Sequence, residues 1–417
     1  WSSPNDYWFP EIRSMGGAIL VMSCVLYPYI YMMTRASFLT VPLSFYQTSL
    51  IYGRNSFFSV ALPLARPGIF AGLALVLMET ISDFGTVDYF ALETLTLGVF
   101  NVWLGMNSLS GAAQISSILF IIVVVLLTLE YLARRKQRFY EKSSGQNIMI
   151  EKDINTFGKL VCVLICLMPL ILGFVIPVSI LLSFVLKGLA VIDYAEIIST
   201  TLSSISLSLS AAFIVMVVSV LMIVVSNYKS NYTQKVIIFL SSCGYAFPGT
   251  ILAVGIVVFV GWLNSIIYFH LSYVVGGLIV LMFAYLIRFL AVGNASIRSG
   301  ILKIHPNAMD ASLTMGAGFY RGVKVVIMPL ILTNILIGGI LVFVDILKEL
   351  PITLLLRPFN FETLATQVYQ YSAAEQFEQA APAALAIVVV GILPVILLSL
   401  AITKSNFGRQ DTLEVTA

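Results

Sequence analysis

The chain has 417 residues, of which 59% are hydrophobic and only 10% are charged, and its formal net charge is +3. Because soluble domains carry about 25% charged residues, this composition excludes a soluble globular protein and indicates an integral membrane protein. The small net charge does not indicate a nucleic-acid partner. The four cysteines lie in apolar stretches, and their spacing favours neither a disulfide framework nor a metal site.

Runs of about 20 apolar residues predict membrane-spanning helices. We place nine such runs near 15–35, 63–83, 113–131, 159–185, 200–226, 236–262, 271–292, 326–346 and 382–403. The predicted fold class is therefore an all-α polytopic membrane protein. Arginine and lysine are concentrated in alternate loops and after the last span. The positive-inside rule thus predicts that the C-terminus is cytoplasmic, together with 36–62, 132–158 and 293–325.

Two of the predicted cytoplasmic loops carry a segment of small residues that ends in a glycine and precedes a span opened by proline. The second loop has Asp310, Ala311, Ser312 and Gly316, followed by Pro329; the first has Gln47, Thr48, Ser49 and Gly53, followed by Pro63. Small side chains and a glycine allow another protein to approach closely. We therefore interpret both as docking segments, with an ordinary interfacial turn as the alternative. The first loop lacks the acid and is three residues shorter between glycine and proline, so the second is favoured.

The two loops belong to an internal repeat. Pro63 and Pro329 are separated by 266 residues (329 − 63), and so are Glu79 and Asp345 (345 − 79). The repeat predicts two halves of the same orientation, related by an axis along the membrane normal. The predicted division is 1–131 for the first half, 132–158 for a cytoplasmic linker and 159–417 for the second half. Three spans precede the repeated unit in the second half only, so we expect the first half to lack its N-terminal helices.

Acidic residues lie one helical turn apart near the end of one span in each half. They are Glu79, Asp83, Asp345 and Glu349, with Lys348 beside the last two. A carboxylate at the membrane centre costs roughly 2.5–3.5 kcal/mol on insertion scales, so such residues usually face a cavity or a partner. We predict that this set lines a translocation pathway for a hard cation, which prefers oxygen ligands. The alternative is a structural role in which the acids pair with polar neighbours such as Lys348.

Three motifs carry a resemblance to a known family: Asp83–Phe90, Thr94–Trp103 and Lys348–Pro358. They are similar to the permeases of ferric-iron ABC importers, and the Asp310 loop resembles the "EAA" coupling loop of importer permeases in general. The resemblance covers nearly the whole chain. It implies two parallel, pseudo-repeated halves of the type I ABC importer kind that transport ferric iron by alternating access.

The resemblance also implies partners and a location. A cytoplasmic ABC ATPase homodimer would bind the coupling loops, a periplasmic ferric-binding protein would deliver the iron, and the chain would be a multi-pass protein of the bacterial inner membrane. The sequence has no G-x-x-x-x-G-K-[ST] phosphate loop. We therefore expect ATP and Mg²⁺ on the ATPase, no cofactor on this chain and no enzymatic activity of its own. Related permeases for thiamine, polyamines or sulfate are alternatives, as is a secondary transporter without an ATPase.

Overall fold

The computed structural model of the chain describes residues 11–39, 41–135, 155–190, 192–228, 231–267, 277–305 and 307–414. Within these ranges, nine helices are long and apolar enough to cross a membrane, and no residue forms a strand. The predicted all-α polytopic class and the number of spans are thereby confirmed. Most of the predicted linker at 132–158 lies outside the described residues.

The chain divides into two compact units, Trp1–Ile180 and Leu181–Ala417. In chain order the described helices are α1 (Met15–Leu39), α2 (Leu43–Ile51), α3 (Phe57–Ser82), α4 (Gly85–Tyr89), α5 (Leu95–Gly105), α6 (Leu109–Arg135), α7 (Thr156–Lys187), α8 (Tyr194–Tyr228), α9 (Tyr232–Ser242), α10 (Gly249–Ile267), α11 (Leu278–Ile301), α12 (Asn307–Thr314), α13 (Phe319–Leu347), α14 (Pro351–Leu356), α15 (Leu364–Ala373) and α16 (Phe377–Glu414).

Within each unit, two spans cross closely because small residues line the contact. In the first unit α1 packs against α3, where a methyl group added to Gly72 would lie 2.6 Å from the Cα of Ile30. In the second unit α11 packs against α13, where a methyl group on Gly338 would lie 2.8 Å from the Cβ of Ser296. The Ser296 hydroxyl also donates to the backbone carbonyl of Asn334 at 2.7 Å. Close packing and interhelical hydrogen bonds are the main sources of helix association in membranes.

The backbone repeats between the two units even where the side chains differ. Six described residues have a positive φ, and they form three pairs at nearly the same separation along the chain. The pairs are Gly53 with Gly316, Ala91 with Asn360, and Asn107 with Glu375. A left-handed conformation is uncommon for residues other than glycine, so its recurrence at matching positions reflects the same chain path. The repeat inferred from the prolines and acids therefore extends to the turns between the helices.

The prediction of one continuous span at 236–262 is wrong, because α9 and α10 are separate helices. A short 3-10 turn, Gly244–Ala246, follows α9, and Pro248 precedes α10. Phe247 is extended, with φ −86° and ψ 132°. Proline disfavours the helical conformation in the residue before it and cannot donate a backbone hydrogen bond, so the helix is interrupted here.

The boundaries of α11 also differ from the prediction of a span at 271–292. The helix begins at Leu278 and continues to Ile301, and 271–276 lie outside the described residues. Arg288 is therefore in the interior of this helix, and Arg298 is in its last turn.

Candidate functional site

The second loop is a short helix closed by a glycine. Within α12 the Ser312 hydroxyl is buried and donates to the carbonyl of Met309 at 2.8 Å. The chain then reverses at Gly316, whose φ is 83°, and the Ala317 amide donates back to the Ser312 carbonyl at 3.1 Å. A glycine in the left-handed conformation is the usual end of a helix, because only glycine adopts it without steric cost. The predicted glycine thus closes α12.

The first loop has the same construction, although Gln47 replaces the acid. The Ser49 hydroxyl is buried and donates to the carbonyl of Tyr46 at 2.9 Å. Gly53 has a φ of 61°, and the Arg54 amide donates to the Ser49 carbonyl at 3.0 Å. Each of these bonds has its counterpart in the second loop. The substitution of the acid therefore leaves the local fold of α2 unchanged.

The three residues missing from the first loop are removed from the following span and not from the turn. In the second unit an α-helical turn, Phe319–Gly322, precedes a π-helical turn, Val323–Ile327. In the first unit the π turn, Phe57–Ala61, directly follows Ser56. At a rise of about 1.5 Å per residue, three residues correspond to ~4.5 Å of helix. The first loop helix is thus preserved, and only the start of α3 is shortened.

Pro63 and Pro329 explain the position of the π turns. Each proline lies at the second helical position after the π turn of its span. A proline cannot donate to the carbonyl four residues earlier, so the helix widens before it. In the structure, these two predicted site residues determine the backbone conformation at the start of α3 and α13.

Both loop helices expose large apolar side chains beside the glycine turn. Tyr52 is 77% exposed in the first unit, and its counterpart Met315 is 88% exposed in the second. Among the predicted docking residues, those whose side chains face outward are Gln47, Thr48, Asp310 and Ala311. An exposed apolar patch with polar residues around it is typical of an interaction surface. The Ser49 and Ser312 side chains, by contrast, are buried and donate hydrogen bonds within their own helices.

At the opposite end of α3, Asp83 precedes the short helix α4. Its carboxylate accepts a hydrogen bond from the Thr86 amide at 3.3 Å, and its carbonyl accepts one from the Thr96 hydroxyl at 3.2 Å. Burial raises the pKa of Asp83, and its hydrogen bonds to Thr86 and the Phe84 amide oppose that change. Glu79 is half-buried one turn earlier on α3. The structure therefore brings these two predicted site residues together.

Glu349 occupies the equivalent place after the end of α13 and precedes α14. It is 5% exposed, and its carboxylate accepts hydrogen bonds from the Ile352 amide at 3.0 Å and the Thr353 amide at 3.2 Å. A carboxylate at the amino end of a helix satisfies amides that have no partner within the helix. Asp83 and Glu349 thus share a structural role that the sequence analysis treated as the alternative.

The remaining predicted residues of the second unit form an ion pair. Lys348 Nζ lies 3.0 Å from Asp345 Oδ1. The Lys348 side chain is half exposed, whereas that of Asp345 is largely buried. The lysine therefore neutralises this carboxylate, as the alternative interpretation proposed.

Glu349 has a buried partner that was not predicted from the sequence. The Arg288 guanidinium on α11 lies 3.1 Å from the Glu349 carboxylate, and both side chains are buried. Beside this pair the Tyr285 and Thr353 hydroxyls are hydrogen-bonded at 2.6 Å. Gly249, at the start of α10, leaves room for the pair, since a methyl group there would lie 2.8 Å from Glu349 Oε1. An arginine within an apolar run was the one available signal, because such residues are usually paired.

Among the residues that the structure describes, no group of three or more His, Cys, Asp and Glu side chains is placed to hold a metal ion.

Within the described residues, nine apolar spans, a repeated helical unit and exposed loop helices define a polytopic membrane protein. The chain is 25% identical over 408 residues to the Fe(3+)-transport system permease protein FbpB 2 of Haemophilus influenzae, in an alignment that covers 93% of this chain and 77% of that protein. No protein-family model matches the chain. The similarity confirms the resemblance to ferric-iron permeases that the motifs predicted.

Proposed function

We propose that the chain is the permease subunit of an ATP-driven, binding-protein-dependent importer of ferric iron in the bacterial inner membrane. The observation that carries the proposal is the pair of equivalent loop helices, α2 and α12. Each ends in the same glycine turn and exposes large apolar side chains at its end. Such side chains need a partner that covers them. The similarity to an Fe(3+)-transport permease supports ferric iron as the cargo.

In this proposal α2 and α12 bind the two subunits of a cytoplasmic ABC ATPase homodimer, on which ATP and Mg²⁺ bind. ATP-driven closure of the ATPase moves the loops, and the spans that follow them, α3 and α13, transmit the movement. The access of the pathway then alternates between the two sides of the membrane. The repeated halves, 1–131 and 159–417, supply one loop helix each.

In this proposal the acid-bearing end of each of the spans α3 and α13 faces the periplasm, where a ferric-binding protein delivers the cargo. Glu79 and Asp83 lie one turn apart, and Asp83 has no cationic partner within salt-bridge distance among the described residues. A ferric ion is attracted by such oxygen ligands. Asp345 and Glu349 carry cationic partners, Lys348 and Arg288. Asp83 is therefore the carboxylate that we propose contacts the cargo.

The experiment that tests the proposal is assembly with the ATPase, followed by uptake in proteoliposomes. We expect the chain to co-purify with an ABC ATPase and to take up ferric iron only when ATP and the binding protein are present. Met315→Glu and Tyr52→Glu place a charge on the exposed faces of the loops. Each should weaken ATPase binding, and the two together should abolish it. Phe359→Glu changes an equally exposed side chain between α14 and α15 and should leave ATPase binding intact.

Three results would contradict the proposal. Uptake driven by a proton gradient without ATP would indicate a secondary transporter. ATP-dependent uptake of thiamine, a polyamine or sulfate in place of iron would retain the importer and reject the cargo. Full ATPase binding by the double variant would reject the loops as the docking sites.

A further inference from the structure

Helix α11 ends at Ile301, before the second loop helix begins at Asn307, and it is attached to the interruption between α9 and α10. Asn294 on α11 donates to the Ser241 hydroxyl at the end of α9 at 2.9 Å. Gly244 packs directly against the backbone carbonyl of Ile287, so that even a methyl group would not fit between them. These contacts fix the interrupted span to α11. Any displacement of α11 would therefore move the interruption with it.

The same helix is attached to the outer short helix α14 through a buried polar cluster. Arg288 of α11 pairs with Glu349, and the Glu349 carboxylate also binds the first amides of α14. Tyr285 of α11 is hydrogen-bonded to Thr353 of α14. The Arg288 Nε is buried without a hydrogen-bond partner. A buried donor left unsatisfied is costly, so the arginine is not placed here simply to optimise packing.

The first unit has the same helices without this cluster. The repeat places Val25 at the position of Arg288, Met22 at that of Tyr285 and Val87 at that of Thr353. Nevertheless α1 crosses α3, and Asp83 precedes α4, as in the second unit. The crossing and the acid-bound short helix therefore form without an arginine. What the cluster adds is a direct polar attachment of α11 to α14.

We propose that Arg288 and Glu349 are positioning residues for transport, which transmit movement of the second loop helix through α11 to α14 at the outer end of the second half. The inference rests on the proposed function, since it requires an ATPase that moves the loop. It makes the halves unequal: the second has a buried ion pair between its first helix of the repeat and the outer short helix, and the first has Val25 in place of that arginine.

The test separates transmission from stability. Arg288→Met leaves Glu349 buried and unpaired and should lower the melting temperature of the purified complex. The double variant Arg288→Met with Glu349→Met removes both charges and should restore it, because buried ion pairs are often replaced by apolar residues without loss of stability. If the pair transmits movement, the double variant should still bind the ATPase and hydrolyse ATP, but ATP-dependent iron uptake should fall about tenfold.

A second readout does not depend on the cargo. In a chain whose four native cysteines are replaced by alanine, a fluorescent label at Phe359→Cys reports on the fully exposed residue after α14. We expect nucleotide to change the signal of the parent complex and not that of the double variant. Val25→Met, at the matching position of the first half, should retain the change.

Uptake and label response that recover together with the melting temperature would overturn the inference, because the pair would then be purely structural. A double variant that stays as unstable as the single variant, with uptake and label response unchanged from the parent complex, would overturn it as well. Failure of the parent chain to bind an ATPase would instead reject the proposed function, a result that the variants do not affect.

Discussion

The two glycines that end the loop helices are required for their backbone conformation alone. A methyl group added to Gly53 or Gly316 would meet no atom within 4 Å. Both residues, however, have a positive φ, which costs an ordinary L-residue roughly 1–2 kcal/mol. Substitution would therefore act on the shape of the loop and of the docking surface proposed there, and would leave the packing of the protein intact.

Gly316→Ala should accordingly destabilise the turn after α12 by roughly 1 kcal/mol, which corresponds to about fivefold weaker ATPase binding if the turn must form to bind. Gly318→Ala is the matched control, since Gly318 has a φ of −68° and equally open surroundings. Titration of the purified chain with ATPase measures both. Equal affinities for the two variants would show that the turn is not part of the interface.

At the scale of the element, the interrupted span α9–α10 depends on glycines for a different reason. Gly244 lies against the backbone of α11, and a backbone atom cannot move aside as a flexible side chain can. We expect Gly244→Ala to destabilise the protein by roughly 1–3 kcal/mol through overpacking, seen as a lower melting temperature in detergent. Gly255→Ala, within α10, adds the same methyl group where nothing lies within 4 Å and should change little. Similar losses for both would indicate an effect of glycine replacement in general.

Much of the architecture is predictable from the sequence, because membrane spans need only length and hydropathy. The interruption at Pro248 was not predicted, because the surrounding residues are apolar and averaging over a span conceals a single proline. The pairing of Arg288 with Glu349 joins residues 61 positions apart. The sequence thus pointed to the acids and the glycines of the candidate site but not to its buried cation, Arg288. Such a contact depends on how α11 and α13 cross, which hydropathy does not describe.

At the scale of the whole molecule, the two copies of the repeated unit share a backbone path and carry different electrostatics. Asp83 and Glu349 are equivalent in the repeat and bind the amides of equivalent short helices. Glu349 has a buried arginine as its counter-charge, whereas Val25 stands at that place in the first half. Loss of the same charge should thus have different consequences in the two halves.

Asp83→Asn keeps a side-chain oxygen for the Thr86 amide and relieves the cost of burying a charge, so the melting temperature should not fall. Under the proposed function it removes a carboxylate that attracts the cargo, and ferric-iron uptake should decrease while ATP hydrolysis continues. Glu93→Gln, an exposed residue after α4, is the control for charge and should leave uptake unchanged.

Glu349→Gln should instead lower the melting temperature, because Arg288 is left buried without a counter-charge, at a cost of roughly 3–5 kcal/mol. Identical responses in melting temperature and uptake for Asp83→Asn and Glu349→Gln would mean that the halves are electrostatically equivalent after all.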